Sequence, residues 1–138
     1  MAKKTISFIR AKMKNLDICM MTTTGPKGVL TARPMSNNGD VKYDGDSYFF
    51  SYEGSQKIED IEKDTSVNLS FIASNDLYIA VEGKAKLIRS KTAMKPHWVS
   101  SLNTWFKDGL DTEGIVLIKV SAKKIKYWDR MEQGEIPL

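Results

Sequence analysis

Three short segments hold residue types suited to a phosphate ester: Thr31-Ala-Arg33-Pro34-Met35, Tyr48-Phe-Phe50-Ser51 and Ser55-Gln56-Lys57. An arginine offers a planar fork that grips phosphate bidentately, a lysine adds a mobile point charge, and the first turn of a helix presents unpaired N–H groups to an anion. Beside an aromatic wall, this is equipment for holding a phosphorylated planar cofactor. Each segment also has a plain reading: Arg33 as an exposed arginine on an edge strand, Ser55 as a common helix cap followed by two solvated residues. The combination favours one shared anion site.

The elements that must position these residues follow from periodicity. Ile6, Ile9 and Met13 recur at helical spacing, with Asn15 as a stop. Residues 16–23 and 29–35 read as strands of a hairpin turned at Thr24-Gly-Pro-Lys-Gly28. A polar loop, Ser36-Asn-Asn-Gly-Asp40, leads to an aromatic strand at 47–51. Alternation on the second strand sends Thr31, Arg33 and Met35 to one face. Ser55 caps a helix running to about Lys63, which buries Ile58 and Ile61 and turns Glu59 and Glu62 outward. Strands at 67–73 and 77–88 form a second hairpin through Ser74-Asn-Asp76, and Gly83 marks a bulge or a close backbone approach. Residues 92–106 space Met94, Trp98, Leu102 and Trp105 as one helical face, with Pro96 in its first turn. Residues 115–120 and 125–128 supply the last strand material. One α+β domain, mainly β, is expected over residues 1–138, with six antiparallel strands closed into a small barrel that removes its edges.

Composition narrows the function classes. With 41% hydrophobic and 28% charged residues in 138, the chain reads as an ordinary soluble domain, and no segment approaches the roughly 20 apolar residues of a membrane span. Met1-Ala-Lys-Lys-Thr-Ile runs into a polar stretch, unlike a secretory leader, and the single Cys19 sits in an apolar run where it packs as a small hydrophobe. A cytoplasmic location is expected. The net charge of +4 comes from basic residues spread along the chain, which argues against nucleic acid. A single-stranded nucleic-acid barrel nevertheless stands as an alternative, given pI ≈ 9.1 and several aromatics. The one histidine, His97, follows Pro96 with no matched carboxylate or nucleophile and reads as a surface residue; no metal-ligand cluster, P-loop or nucleophile elbow is present. The aromatic face of Trp98, Trp105 and Phe106 reads as core or dimer interface ahead of a cofactor lid, and Trp128 as packing.

In order and spacing, these segments, with Val67-Asn-Leu69, Val81-Glu-Gly83, Trp105-Phe106 and Tyr127-Trp-Asp129, resemble the pyridoxamine 5'-phosphate oxidase-like split-barrel flavoproteins, and within them the bacterial general stress protein branch. The resemblance implies a six-stranded split barrel, a homodimer and FMN at the subunit interface, with FAD also bound by some branches. It assigns Arg33 and Lys57 to the FMN phosphate with Ser55 and Gln56, and Phe50 and Ser51 to the isoalloxazine, which Pro34 and Met35 also touch. Trp105 and Trp128 would cover the ring or arrive from the partner. Gln56 replaces an arginine of the oxidase's Ser-Arg-Lys motif, and Arg130-Met-Glu132 lacks the oxidase's Arg-x-His substrate grip. A general stress-type flavoprotein exchanging hydride or electrons with an unidentified partner is therefore the expectation, with a pyridoxamine phosphate oxidase or small-molecule reductase as the alternative.

Overall fold

The computed structural model describes residues 5–14, 16–36, 42–73 and 76–138. Helix α1 (Ile6–Met13) buries Ile9 and Met13. Strands β1 (Ile18–Thr24) and β2 (Leu30–Ser36) form the first hairpin, and β3 (Asp46–Tyr52) leads into α2 (Gln56–Lys63). Strands β4 (Ser66–Ala73) and β5 (Leu77–Ile88) form the second hairpin; a short α3 (Lys91–Met94) follows, then β6 (Ile115–Asp129) and β7 (Glu132–Pro137). The expected helix stop at Asn15, the loop through residues 37–41 and the turn at residues 74–75 lie outside the described residues.

All strands join one antiparallel sheet in the order β2-β1-β4-β5-β6-β3, with β7 also on β6. Because β5 occupies one side of β6, β3 and β7 share the other, β3 along its first half and β7 along its second. The sheet curls into a half-barrel whose ends are β2 and β3; among the described residues no ladder joins them. The barrel is thus split, as the family resemblance implies, rather than closed, as the strand pattern alone suggests, and β2, as an end strand, tolerates Pro34. One rung of the core, Met21, Leu69, Val81 and Ile125, crosses four strands in register, every member buried. Ile58 and Ile61 of α2 and Ile9 of α1 close over this inner face.

Two further expectations are corrected. Among the described residues the strands number seven, because residues 115–129 form one continuous strand and the chain reverses once more into β7. The polar stretch at Ser121–Lys124 is a β-bulge: Glu82 pairs with Lys124 but Gly83 with Ala122, so one extra residue of β6 shifts the alternation and keeps Val120, Ala122, Ile125 and Tyr127 all buried. A Cβ on Gly83 would lie 2.8 Å from the Ser121 carbonyl oxygen, so the close approach requires glycine. The expected helix over residues 92–106 is broken. Pro96 opens a 3₁₀ turn at Lys95–His97, Trp98 and Val99 are extended, and a second 3₁₀ turn spans Ser100–Thr104. This segment lies across the outer face of β3 and β6, where Met94, Phe106, Ile115 and Leu117 form a second core with Phe50, Trp98 and Leu102. Coverage on both sides explains why Ile115 to Ile118 are four consecutive buried residues.

Candidate functional site

Arg33, the central residue of β2, stands opposite Met21 and shares the inward face with the buried Met35. Its Nη1 donates to Thr23 Oγ1 at 2.7 Å and, more weakly, to the Met21 carbonyl at 3.4 Å. Asp60 of α2, only 2% exposed, lies 3.8 Å from Arg33 Nη2 and accepts hydrogen bonds from Thr23 Oγ1 and Gln56 Nε2, both at 2.8 Å. A buried carboxylate needs such partners, and this one holds the guanidinium from behind.

Lys57 approaches from the first turn of α2. Gly54, at φ +85, allows the tight turn from β3 into this helix. The Lys57 ammonium donates to Ser51 Oγ at 3.0 Å, and Ser51 Oγ is 3.4 Å from Ser55 Oγ. Ser55 occupies the N-cap position, but its hydroxyl donates to the Tyr52 carbonyl at 2.9 Å and caps nothing. The expected side-chain cap is therefore absent, because the tight turn offers that hydroxyl a nearer acceptor. The start of α2 is left without a side-chain acceptor, beside an ammonium and two hydroxyls. Arg89 braces the turn by pairing with Glu53 and, at 2.9 Å, with Glu62.

The electrostatics favour an anion here. Burial lowers the affinity of Arg33 for its proton, with Asp60 opposing; burial and then Arg33 lower that of Lys57. A lysine whose charge is disfavoured by a neighbouring arginine is relieved by a bound phosphate. Two cations and the Ser51 hydroxyl beside a helix start with no side-chain cap form a donor set that fits a phosphate monoester.

The structure brings Arg33, Ser51, Ser55 and Lys57 together. Gln56 is close by, but its amide is engaged by Asp60. Phe50 is half-buried on the outer face of β3, edge-on to Trp98 at 5.0 Å. Pro34 is exposed on the face opposite Arg33, and the Met35 side chain lies in the main core. Trp105 is 69% exposed, with its carbonyl accepting from Tyr52 OH at 3.0 Å, so it stays near the end of β3. Trp128 pairs with Tyr78, eleven residues further along β6 than Leu117, the partner of Phe50. At about 3.3 Å per residue, one chain holds these two rings roughly 35 Å apart along the strand.

Sequence reasoning missed Asp60 and Thr23. The signal for Asp60 was an acid between Ile58 and Ile61 on the buried side of an amphipathic helix, where an unpaired carboxylate is too costly to persist. His97, expected at the surface, is half-buried and stacked on Tyr48, with ring centroids 3.7 Å apart; burial and nearby Lys119 lower its pKa below the ordinary 6.5.

Comparison with known proteins agrees with the fold and the family resemblance. The general stress protein 26 of Bacillus subtilis is 29% identical over 86 residues, which cover 59% of this chain and 61% of that protein, so the match spans about three-fifths of the relative's length. A crystal structure of general stress protein 26 from Bacillus anthracis superposes with a TM-score of 0.79 at 23% identity, covering 96% of this chain and 97% of the other. A protein from Clostridium acetobutylicum described as related to general stress protein 26 reaches a TM-score of 0.84 at 14% identity, covering 96% and 94%. Both are similar in fold. Residues 4–136 match the family described as pyridoxamine 5'-phosphate oxidase like. With nearly the whole chain matched and a split half-barrel observed, the chain belongs to the pyridoxamine 5'-phosphate oxidase-like family.

Proposed function

We propose that the chain is a cytoplasmic, homodimeric flavin-binding protein of the general stress type, holding FMN by its phosphate and passing electrons or hydride between a donor and a small acceptor. The convergence of Arg33 and Lys57 on the uncapped start of α2, beside Ser51 and Ser55, carries this reading. Bound there, the flavin supplies the redox chemistry. Arg33 and Lys57 neutralise the phosphate, Thr23 and Asp60 hold Arg33 in place, and the aromatic end of β3 offers a wall for a flat ring.

A dimer accounts for an otherwise unexplained surface. Ile18, Met20, Ile72, Tyr78 and Trp128 lie on the outward-facing positions of four neighbouring strands, and all are exposed, Ile72 at 73%. An apolar face of this kind marks an interaction surface. A partner seated on it could also bring its Trp128 to a ring that Trp128 of the same chain does not approach. Oxidation of pyridoxamine phosphate is the weaker reading, because Gln56 adds no charge to the clamp and Arg130 is followed by Met131 and Glu132.

The test is titration of the purified protein with FMN and with riboflavin, followed by visible absorption and flavin fluorescence. FMN is expected to bind the more tightly by its phosphate contacts. Arg33→Ala and Lys57→Ala should each weaken FMN about 10- to 100-fold, the scale of one charge-assisted hydrogen bond, while leaving riboflavin nearly unchanged. Equal loss for both flavins, or none for FMN, overturns the clamp.

A further inference from the structure

Between α3 and β6 the chain crosses the outer face of β3 without joining the sheet. The backbone bonds of residues 95–104 are local: Trp98 N–H donates to the Lys95 carbonyl at 3.2 Å and Leu102 N–H to the Val99 carbonyl at 3.0 Å. Among the described residues no hydrogen bond ties this segment to a strand. Two rings fasten it instead. His97 lies flat on Tyr48, with centroids 3.7 Å apart and planes 14° from parallel, and Trp98 meets Phe50 edge-on at 5.0 Å. A segment held by side-chain packing alone opens at a lower cost than one inside the hydrogen-bonded ladder.

His97 is the fastener that can change charge, and its surroundings are cationic. Tyr48 stands opposite Lys119 of β6, which stands opposite Lys86 of β5, so one cross-strand row on the outer face carries the ring stack and two ammonium groups. Like charges directly opposite each other are already unfavourable, and an imidazolium adds a third to the row. The other groups around the ring offset little. Asp46 of β3 lies 3.8 Å from the Lys119 ammonium and pairs with it, while Asp44, ahead of that strand, is exposed. Tyr43 and Ser47, whose buried hydroxyls have no hydrogen-bond partner among the described residues, are uncharged. From α1 and β2 come only Met13 and Ser36, and the 3₁₀ turn of His97 itself adds the cation of Lys95. The face of Tyr48 does attract a cation. Burial and Lys119 prevail, since together they lower the His97 pKa below 6.5.

We propose that protonation of His97 releases residues 95–104 from the outer face of β3, so that this segment is a pH-sensitive cover over Phe50 and the second core. The neutral ring stacks while the segment is closed; the imidazolium is better solvated once it is open. Because the closed form takes up the proton less readily than the open one, closure is at full strength above about pH 6.5 and weakens as pH falls below it. None of Tyr48, His97, Lys86 and Lys119 belongs to the phosphate clamp, so the cover stands or falls apart from the flavin reading.

Hydrogen–deuterium exchange of the full chain, read by mass spectrometry as protection factors at about pH 7.5 and about pH 5.5, tests this beside a proton NMR titration of His97, the one histidine. Protection of residues 95–106 is expected to fall at the lower pH by up to about tenfold, the limit for one proton taken up one pH unit below 6.5, while β4 keeps its protection. His97→Phe keeps a stacking ring that takes no proton, and should hold its protection at both pH values. Lys119→Gln should raise the His97 pKa and shrink the fall. A His97 pKa at or above 6.5, equal protection at both pH values, a fall that persists in His97→Phe, or an equal fall in β4 overturns the cover.

Discussion

Asp60 is the least conspicuous residue of the clamp and the one on which the others depend. Its two oxygens collect Thr23, Gln56 and, at longer range, Arg33. Asp60→Ala leaves the buried Thr23 hydroxyl without its acceptor and removes the partner of the half-buried Arg33, and the expected cost is about 1–3 kcal/mol in urea unfolding, with Asp60→Asn costing less because one acceptor oxygen survives. Lys57 makes the clamp pH-dependent. Its pKa is lowered from 10.5, first by burial and then by Arg33, so the folded chain releases this proton more readily than the unfolded chain. In the window just below 10.5 the flavin-free protein therefore gains stability as pH rises. A bound phosphate reverses the shift by favouring the ammonium. FMN affinity should accordingly fall between about pH 8 and about pH 10 more steeply than riboflavin affinity, and Lys57→Arg, which keeps its charge, should remove the difference. A titration of both flavins at the two pH values checks this.

Most elements were legible because their signals are local. Alternation in residues 77–88 and the apolar spacing of Ile58 and Ile61 placed β5 and α2 to within a residue of where they lie. The segment after Met94 was misread because its apolar residues do recur at helical spacing, yet Pro96 breaks the run and the residues have another surface to cover, the outer face of β3 and β6. Phe106 fills that second core while Trp105, expected on the same face, is exposed. The bulge in β6 was misread as a strand end, since a one-residue phase shift looks like lost alternation in sequence. Gly83 carries the cost of that bulge. Gly83→Ala should destabilise by about 1–3 kcal/mol, because the added Cβ meets the Ser121 carbonyl oxygen and, at 2.9 Å, Val120 Cγ1. Thermal unfolding against wild type measures it.

For the molecule as a unit, the curled sheet has an inner face filled by its own helices and an outer face still apolar at Ile18, Met20, Ile72 and Tyr78. Ile72→Lys should leave folding within about 0.5 kcal/mol, as expected of an exposed position, while shifting gel filtration to the monomer and weakening FMN. A dimer that survives this change places the interface elsewhere. The strand order along the chain, the amphipathic α2 and the grouping of Arg33, Ser51, Ser55 and Lys57 were all readable from residue types and spacing, because alternation, turns and helix starts are short-range. The split barrel was implied by the family resemblance, whereas the seventh strand, the Asp60–Thr23 support behind Arg33 and the orphaned hydroxyls of Tyr43 and Ser47 came only from the folded chain. Each depends on what a residue meets after the sheet curls, as Thr23 meets an acid 37 positions away, and no local pattern encodes that meeting.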